Sequence, residues 1–257
     1  MRIAIDSAFD RDLFLLRQQL LRISAKYDVC DETGANILYI ERPAHFLRNF
    51  GAFLAGMSGA TAVFMGLVTI AQQAPPASAA RTMLVFAAAV LGLVTLFGVA
   101  IPLSAKRHVT VYRDGSKRDR LLEILQDKKF QPITMTYTVR DVRGQPLARL
   151  AKNWLYNIFR KRWYVYAPGP TNDPLFVAKE DSVLRSLLRR FLGPVFGLLR
   201  TNFIILRPES DDVIGEFKRN FTILDRYVLD MSADPQHLMD RRIALALGVM
   251  LDTGERR

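Results

Sequence analysis

The sequence predicts a mainly β protein interrupted by a two-helix transmembrane hairpin. Three features carry that prediction. A strand–turn–strand pattern recurs along most of the chain. Residues 50–103 contain no acidic residue and one basic residue, Arg81. Near the C-terminus, Ile243 to Leu251 is apolar on every side. The 257 residues carry a formal net charge of +11, and all 25 Asp+Glu lie outside the 50–103 block. A chain this charged outside one apolar block is neither disordered nor an ordinary soluble globule. A single cysteine, Cys30, excludes a disulfide framework and a clustered-cysteine zinc site.

The strand pattern comes in two close copies. Tyr27-Asp28-Val29-Cys30-Asp31-Glu32-Thr33-Gly34 leads into Ala35 to Ile40, and Tyr137-Thr138-Val139-Arg140-Asp141-Val142-Arg143-Gly144 leads into Gln145 to Leu150. Both read Tyr-x-Val-x-Asp-x-x-Gly followed by an apolar return. Aromatic and β-branched residues at alternate positions suit a half-buried strand, and Asp and Gly suit the turn. Looser hairpins pair Trp163–Tyr166 with Leu175–Val177, and Phe203–Leu206 with Val213–Phe217. So many hairpins predict an all-β sandwich or barrel. His108 to Tyr112 reads as the strand after the apolar block, so one domain, residues 1–49 and 104–257, is assembled from both sides of the insertion.

The block itself holds two uncharged runs, Phe50 to Ala71 and Thr82 to Leu103. At 1.5 Å per residue each helix spans about 33 Å, enough for a hydrocarbon core of about 30 Å. The connector Gln72 to Arg81 carries Pro75 and Pro76 and reads as a tight loop. Basic residues flank the pair: Arg42, His45 and Arg48 before, Lys106, Arg107 and His108 after. The positive-inside rule then puts both termini in the cytoplasm and the connector outside. Gly51, Ala55 and Gly59 form a small-residue stripe, expected to pack the two helices closely or to form a homo-oligomer face. Neither run carries an ionisable residue, which predicts an anchor and not an ion conduit.

Two further segments read as helices. Ser182 to Phe191 is amphipathic, with Arg185, Arg189 and Arg190 opposite its leucines. Ile243 to Leu251 is too short to span a bilayer. A helix apolar all round is buried on all sides, and in a β-rich protein the inside of a barrel does this. Ile243, Leu245, Leu247, Val249 and Leu251 are its expected core residues.

Several of these stretches resemble a known family. Phe14 to Leu21 leading into Tyr27-Asp28-Val29, with Gly34 in the turn, is similar to the opening of phospholipid scramblase-like and LURP-one-related proteins. Asp225-Arg226-Tyr227-Val228-Leu229-Asp230, then Asp240-Arg241-Arg242 and the apolar helix, is similar to their C-terminus. The resemblance covers nearly all of the chain except residues 50–103. It implies a tubby-like closed β-barrel of about a dozen strands around a buried C-terminal helix. The animal scramblases of that family carry a cysteine-rich palmitoylation segment and a calcium-loop-like acidic stretch before the last helix. Here one cysteine remains, and the hairpin replaces the lipid anchor. Asp225, Asp230 and Asp234 stand at the calcium position, but they lack the alternate-residue acids, central Gly and terminal Glu of a calcium loop.

No phosphate-binding loop, dinucleotide fingerprint or catalytic set is present in the local sequence. The expected role is therefore not enzymatic and needs no cofactor or metal. Arg160, Lys161, Arg162, Arg185, Arg189 and Arg190 form a basic group suited to anionic lipid. With a membrane anchor in the chain, phospholipid is the expected partner and nucleic acid is not. The expected function is a membrane-anchored, scramblase-like protein whose cytoplasmic barrel contacts lipid or acts as a scaffold. The alternative is a phospholipid scramblase working without ATP, and a weaker one is an enzyme with an unrecognised site.

Overall fold

A computed structural model describes residues 6–19, 25–155, 161–180, 202–220 and 226–254. The strands follow the alternation in the sequence. β1 (Leu13–Gln18), β2 (Ala25–Cys30) and β3 (Asn36–Arg42) precede the hairpin. β4 (Val109–Tyr112), β5 (Arg120–Gln126), β6 (Thr134–Asp141), β7 (Pro146–Asn153), β8 (Arg162–Tyr166) and β9 (Phe176–Glu180) follow it. β10 (Phe203–Leu206), β11 (Val213–Asn220) and β12 (Arg226–Asp230) complete the sheet. Each strand pairs antiparallel with its neighbour in sequence, and β1 pairs with β12, with Leu15 opposite Val228, to close a barrel. β3 and β4 pair across the insertion, Ile40 opposite Val111.

The two repeated motifs build the same turn. The Asp31 carboxylate accepts from the Thr33 and Ala35 N–H groups at 3.0 Å, and Asp141 accepts from Arg143 and Gln145. The turns close through Gly34 and Gly144, both at positive φ, where a side chain would be strained. The preceding motif tyrosines and valines, Tyr27, Val29, Tyr137 and Val139, point into the core. β5 went unread as a strand in the sequence, and β1 and β12 entered only through the family resemblance. β5 reads Arg-Leu-Leu-Glu-Ile-Leu-Gln, whose paired leucines blur the two-residue period.

Because all neighbours are antiparallel, strand ends alternate between two rims. The Asp31 and Asp141 turns lie on one rim, where β12 also ends. On the other rim β3 ends at Arg42 and β4 starts at Val109, so the chain leaves and returns there for the hairpin. α3 (Arg241–Thr253) starts from the first rim and ends at the hairpin rim. Leu245, Leu247 and Val249 are fully buried, Leu251 is buried, and Ile243 packs against the core edge. Every inward strand face contributes to this core, including Phe14, Ile40, Trp163 and Phe217.

The hairpin, His45–Lys106, is a separate compact unit from Met1–Ala44 with Arg107–Arg257. Its helices are α1 (Phe46–Ala71) and α2 (Ala79–Leu103), both long and apolar enough to cross a membrane. They extend the expected spans by four and three residues at their starts. Ser78 caps α2 by accepting from the Arg81 N–H. The helices meet at Gly56, where an added Cβ would stand 2.7 Å from the Leu96 carbonyl oxygen, and at Gly59, against Thr95. Of the expected stripe, Gly59 thus lies in the contact, whereas Gly51 has no neighbour at that range and Ala55 is exposed. The close face runs through Ala52, Gly56 and Gly59, because α2 packs on that side with Ala88 and Gly92 buried. Large apolar side chains, Phe53, Met57, Met65, Phe86 and Phe97 among them, point outward.

The buried helix sets the first prediction. Leu247→Ala should destabilise the barrel by about 2–5 kcal/mol. Leu247→Asp buries an unpaired charge at a cost of several kcal/mol and should abolish cooperative unfolding. Trp163 fluorescence during denaturant titration reads both, since that ring is fully buried. An unaltered transition for Leu247→Asp would mean that α3 does not fill the barrel.

Candidate functional site

α3 is held by charge at each end. At its start the Asp240 side chain caps the helix by accepting from the Arg242 N–H, and it also pairs with the Arg242 guanidinium at 2.5 Å. Arg241 is buried and nearly saturated. Its guanidinium donates to Asp12 Oδ1 at 2.6 Å, to Asp234 Oδ2 at 2.8 Å, and to the Asp234 and Met239 carbonyls. Burial works to raise the Asp234 carboxyl. The Met239 N–H, the Arg241 guanidinium and the Leu238 N–H outweigh it, and the group sits below the usual carboxylate value.

At the hairpin rim the helix presents its last carbonyls. Arg42 Nη1 donates to Thr253 O at 2.7 Å, and Lys152 Nζ donates to Gly254 O at 3.2 Å. Cations at a helix C-terminus complement the dipole. Asp252, in the last turn, runs against that rule, and its carboxylate is held by the Tyr27 hydroxyl and by the Tyr227 hydroxyl at 2.5 Å. Lys152 also lies 5.6 Å from the Trp163 ring centroid.

A cavity of about 400 Å³ opens around this end. Its polar lining residues are Arg42, Arg107, Lys152, Tyr137 and Thr253, and Val109, Met135, Trp154, Met250 and Gly254 line it as well. Burial pushes the Arg42 guanidinium below its ordinary value, and the neighbouring Arg107 adds to the effect. Burial raises the Tyr137 phenol, so the hydroxyl stays protonated near neutral pH. The arrangement can hold an anion and bury an apolar body beside it.

The residues singled out from sequence fall in several places. Arg162 opens β8 and Lys161 precedes it, on the hairpin rim shared with Arg42 and Lys152. Arg160, Arg185, Arg189 and Arg190 lie outside the described residues, as does the Ser182–Phe191 segment. Of the acids at the calcium position, Asp225 also lies outside them. The Asp230 carboxylate accepts from the Ser232 N–H at 2.9 Å, and Asp234 is engaged by Arg241. Cys30 is buried, with its thiol 3.0 Å from Asn36 Oδ1, and burial raises its pKa.

Sequence reading missed Arg42, Lys152 and Tyr137 as a group. The signal was present in the period-two alternation. Lys152 continues the inward series Ala148, Leu150, and Arg42 continues Leu38, Ile40. A cation at an inward strand position is unusual and marks the mouth of a barrel.

A closed twelve-stranded antiparallel barrel threaded by one apolar helix, with a cationic mouth at one rim, defines a barrel-with-plug protein. The family model described as LURP-one-related matches residues 95–252, from within α2 through nearly all of α3. The chain belongs to the LURP-one-related family, and its barrel is of the tubby-like kind. No curated protein matches the chain.

The Arg241 clamp sets an acid-side prediction. Asp234 titrates below its unfolded value, so its stabilisation is complete above about pH 3.8 and is lost as pH falls through the lower, folded value. Thermal stability should therefore fall as pH drops below about 4, and Asp234→Asn should flatten that dependence. At neutral pH, Arg241→Leu leaves a buried carboxylate without its cation and should cost about 3–5 kcal/mol, read by urea unfolding. A wild-type-like transition for Arg241→Leu would remove the clamp from the stability argument.

Proposed function

We propose that this protein is a membrane-anchored module whose barrel works against the cytoplasmic face of a phospholipid bilayer, as a lipid-contacting or scaffold domain. One observation carries the reading. Two helices, uncharged over Phe50 to Ala71 and Thr82 to Leu103, turn large apolar side chains outward, and the chain enters and leaves them from the barrel rim that also carries Lys161, Arg162, Arg42 and Lys152. An outward apolar face of that size suits lipid and is a liability in water. A basic rim suits anionic headgroups, at about 1 kcal/mol per residue near the surface and screened within about 8 Å.

The basic flanks support both termini inside and the connector outside. Leaflet exchange by this chain alone is disfavoured, since headgroups need a polar path and neither helix carries an ionisable side chain between Phe50 and Ala71 or between Thr82 and Leu103. The stripe of Gly51 and Ala55 stays exposed on α1, which suits self-association through that face in the bilayer.

Orientation is checked with single cysteines at two exposed positions. Gln73→Cys, in the connector, should react with an impermeant thiol reagent on intact cells, and Ser116→Cys, in a barrel loop, should react only after permeabilisation. Cys30 is buried and stays silent in both cases. The reverse labelling pattern would invert the topology.

The lipid contact is checked on the barrel without its hairpin. β3 and β4 pair with each other, so a short linker joining residues 44 and 107 leaves every strand its partners. This domain should bind anionic liposomes weakly and release them as salt rises. Lys161→Glu with Arg162→Glu should weaken binding about tenfold or more, given the contribution per basic residue. Equal binding to neutral and anionic liposomes would refute the electrostatic contact.

A further inference from the structure

We infer that the loop between β5 and β6 is a membrane wedge, whose Phe130 and Ile133 enter the interfacial layer of the cytoplasmic leaflet and fix how the barrel stands on it. The inference deepens the proposed membrane anchoring and rests on it for the presence of a bilayer.

The loop reads Asp127-Lys128-Lys129-Phe130-Gln131-Pro132-Ile133. Two of its polar side chains turn back onto the sheet and hold its shape. Asp127 Oδ1 accepts from the Thr138 hydroxyl at 2.7 Å. Gln131 accepts from the Thr136 N–H at 2.7 Å and donates to the Thr136 hydroxyl at 3.1 Å. Phe130 and Ile133 are left outside the core, 60% and 53% exposed. The Trp154 N–H donates to the Ile133 carbonyl at 2.8 Å, which joins the loop to the end of β7, where Trp154 and Leu155 continue the apolar group. The other exposed large apolar residues of the barrel, among those described, are Val142, Leu175, Val213 and Leu238, one each at separate places on the opposite rim. Single apolar residues are ordinary on a surface, whereas a contiguous group marks a contact.

Position, charge and backbone chemistry all select lipid as the occupant. The Arg107 N–H donates to Gln126 Oε1 at 2.8 Å, and the Gln126 N–H donates to His108 Nδ1 at 3.3 Å. The loop therefore starts beside the segment that arrives from α2. Residues 43–45 alone separate β3 from α1, and residues 104–108 separate α2 from β4. Fully extended, these tethers reach about 14 Å and about 22 Å. With the hairpin in a bilayer, this rim is held close to the surface. Lys128, which is exposed, and Lys129 immediately precede Phe130. Cations at headgroup level with an aromatic and an aliphatic group just below them is the interfacial arrangement. A two-fold contact with a second copy would instead set these lysines against their equivalents. Pro132 has no N–H to satisfy, and the Ile133 carbonyl already accepts one. Both lower the cost of taking the tip out of water.

The test uses the full chain carrying a nitrobenzoxadiazole label on Phe130→Cys or on Val142→Cys, reconstituted into phosphatidylcholine vesicles and into mixed phosphatidylcholine–phosphatidylserine vesicles. Cys30 is buried and takes no label. Val142, 57% exposed on the opposite rim, is the wet reference. Relative to it, the label at 130 should show blue-shifted emission, loss of iodide quenching, and quenching by lipids spin-labelled near the headgroup. These effects should appear in both kinds of vesicle and persist at high salt, because burial of apolar surface is not screened as charge is. With the label moved to Ile133→Cys, Phe130→Asp should restore iodide quenching and Phe130→Leu should not. Three results would overturn the wedge. The label at 130 matches the one at 142, so the loop is wet; it is shielded from iodide but not quenched by spin-labelled lipid, so protein covers it; or its shielding is lost at high salt, so charge alone holds the rim to the surface. Flotation of the chain with the vesicles decides the anchor separately. A chain that floats while the wedge fails leaves the anchoring in place, and a chain that stays in solution removes both.

Discussion

A closed sheet of twelve strands encloses more space than its own side chains can fill. About eight strands is the size at which inward residues alone meet in the middle. The rest of this structure follows from that surplus, which α3 occupies. An apolar segment of nine residues, useless as a membrane span and unstable alone in water, becomes the centre of the core because the barrel surrounds it. The barrel and the helix need each other: without α3 the lumen is a void, and without the barrel the helix has no dry side.

Filling a barrel with a helix creates a second problem at each end. The terminal N–H and carbonyl groups have no partners within the helix. Asp240 meets the first set, its side chain accepting from the Arg242 N–H and its carbonyl from the Ile243 and Ala244 N–H groups, and Arg42 and Lys152 meet the second. The solutions differ in kind. At the start, Arg241 is enclosed by Asp12, Asp234 and two carbonyls, so charge is balanced locally and the contact locks the helix in place. At the end, Arg42 and Lys152 donate to the last carbonyls, and the last-turn carboxylate of Asp252 accepts from two tyrosine hydroxyls. One end is closed and structural, and the other is open and electropositive.

The hairpin meets a different solvent by the same rules. Its helices satisfy their backbone internally, so they tolerate hydrocarbon, and their side chains separate small residues inward from large apolar ones outward. The barrel tolerates the insertion because β3 and β4 are partners whether two residues or sixty join them.

Much of this was legible in the sequence. The Tyr-x-Val-x-Asp-x-x-Gly copies specified two hairpins, because Asp and Gly have definite roles in such turns and period-two alternation sets the buried face. The absence of charge over Phe50 to Ala71 and Thr82 to Leu103 specified two long apolar helices, and an all-round apolar run specified a helix buried on every side. Those are local properties of composition and period. What only the tertiary structure decided is what meets across long separations. Arg42, Arg107, Lys152 and Tyr137 share a cavity because antiparallel closure returns their strand ends to one rim. Asp12 reaches Arg241, and Tyr27 reaches Asp252, across more than 200 positions. The face on which α1 meets α2 shares Gly59 with the stripe the sequence suggested but replaces Gly51 and Ala55 by Ala52 and Gly56, since several small residues stand on α1 and only the packing of α2 selects among them. Alternation tells which way a side chain points. It does not tell which other side chains it will find there, because that depends on strand order and closure.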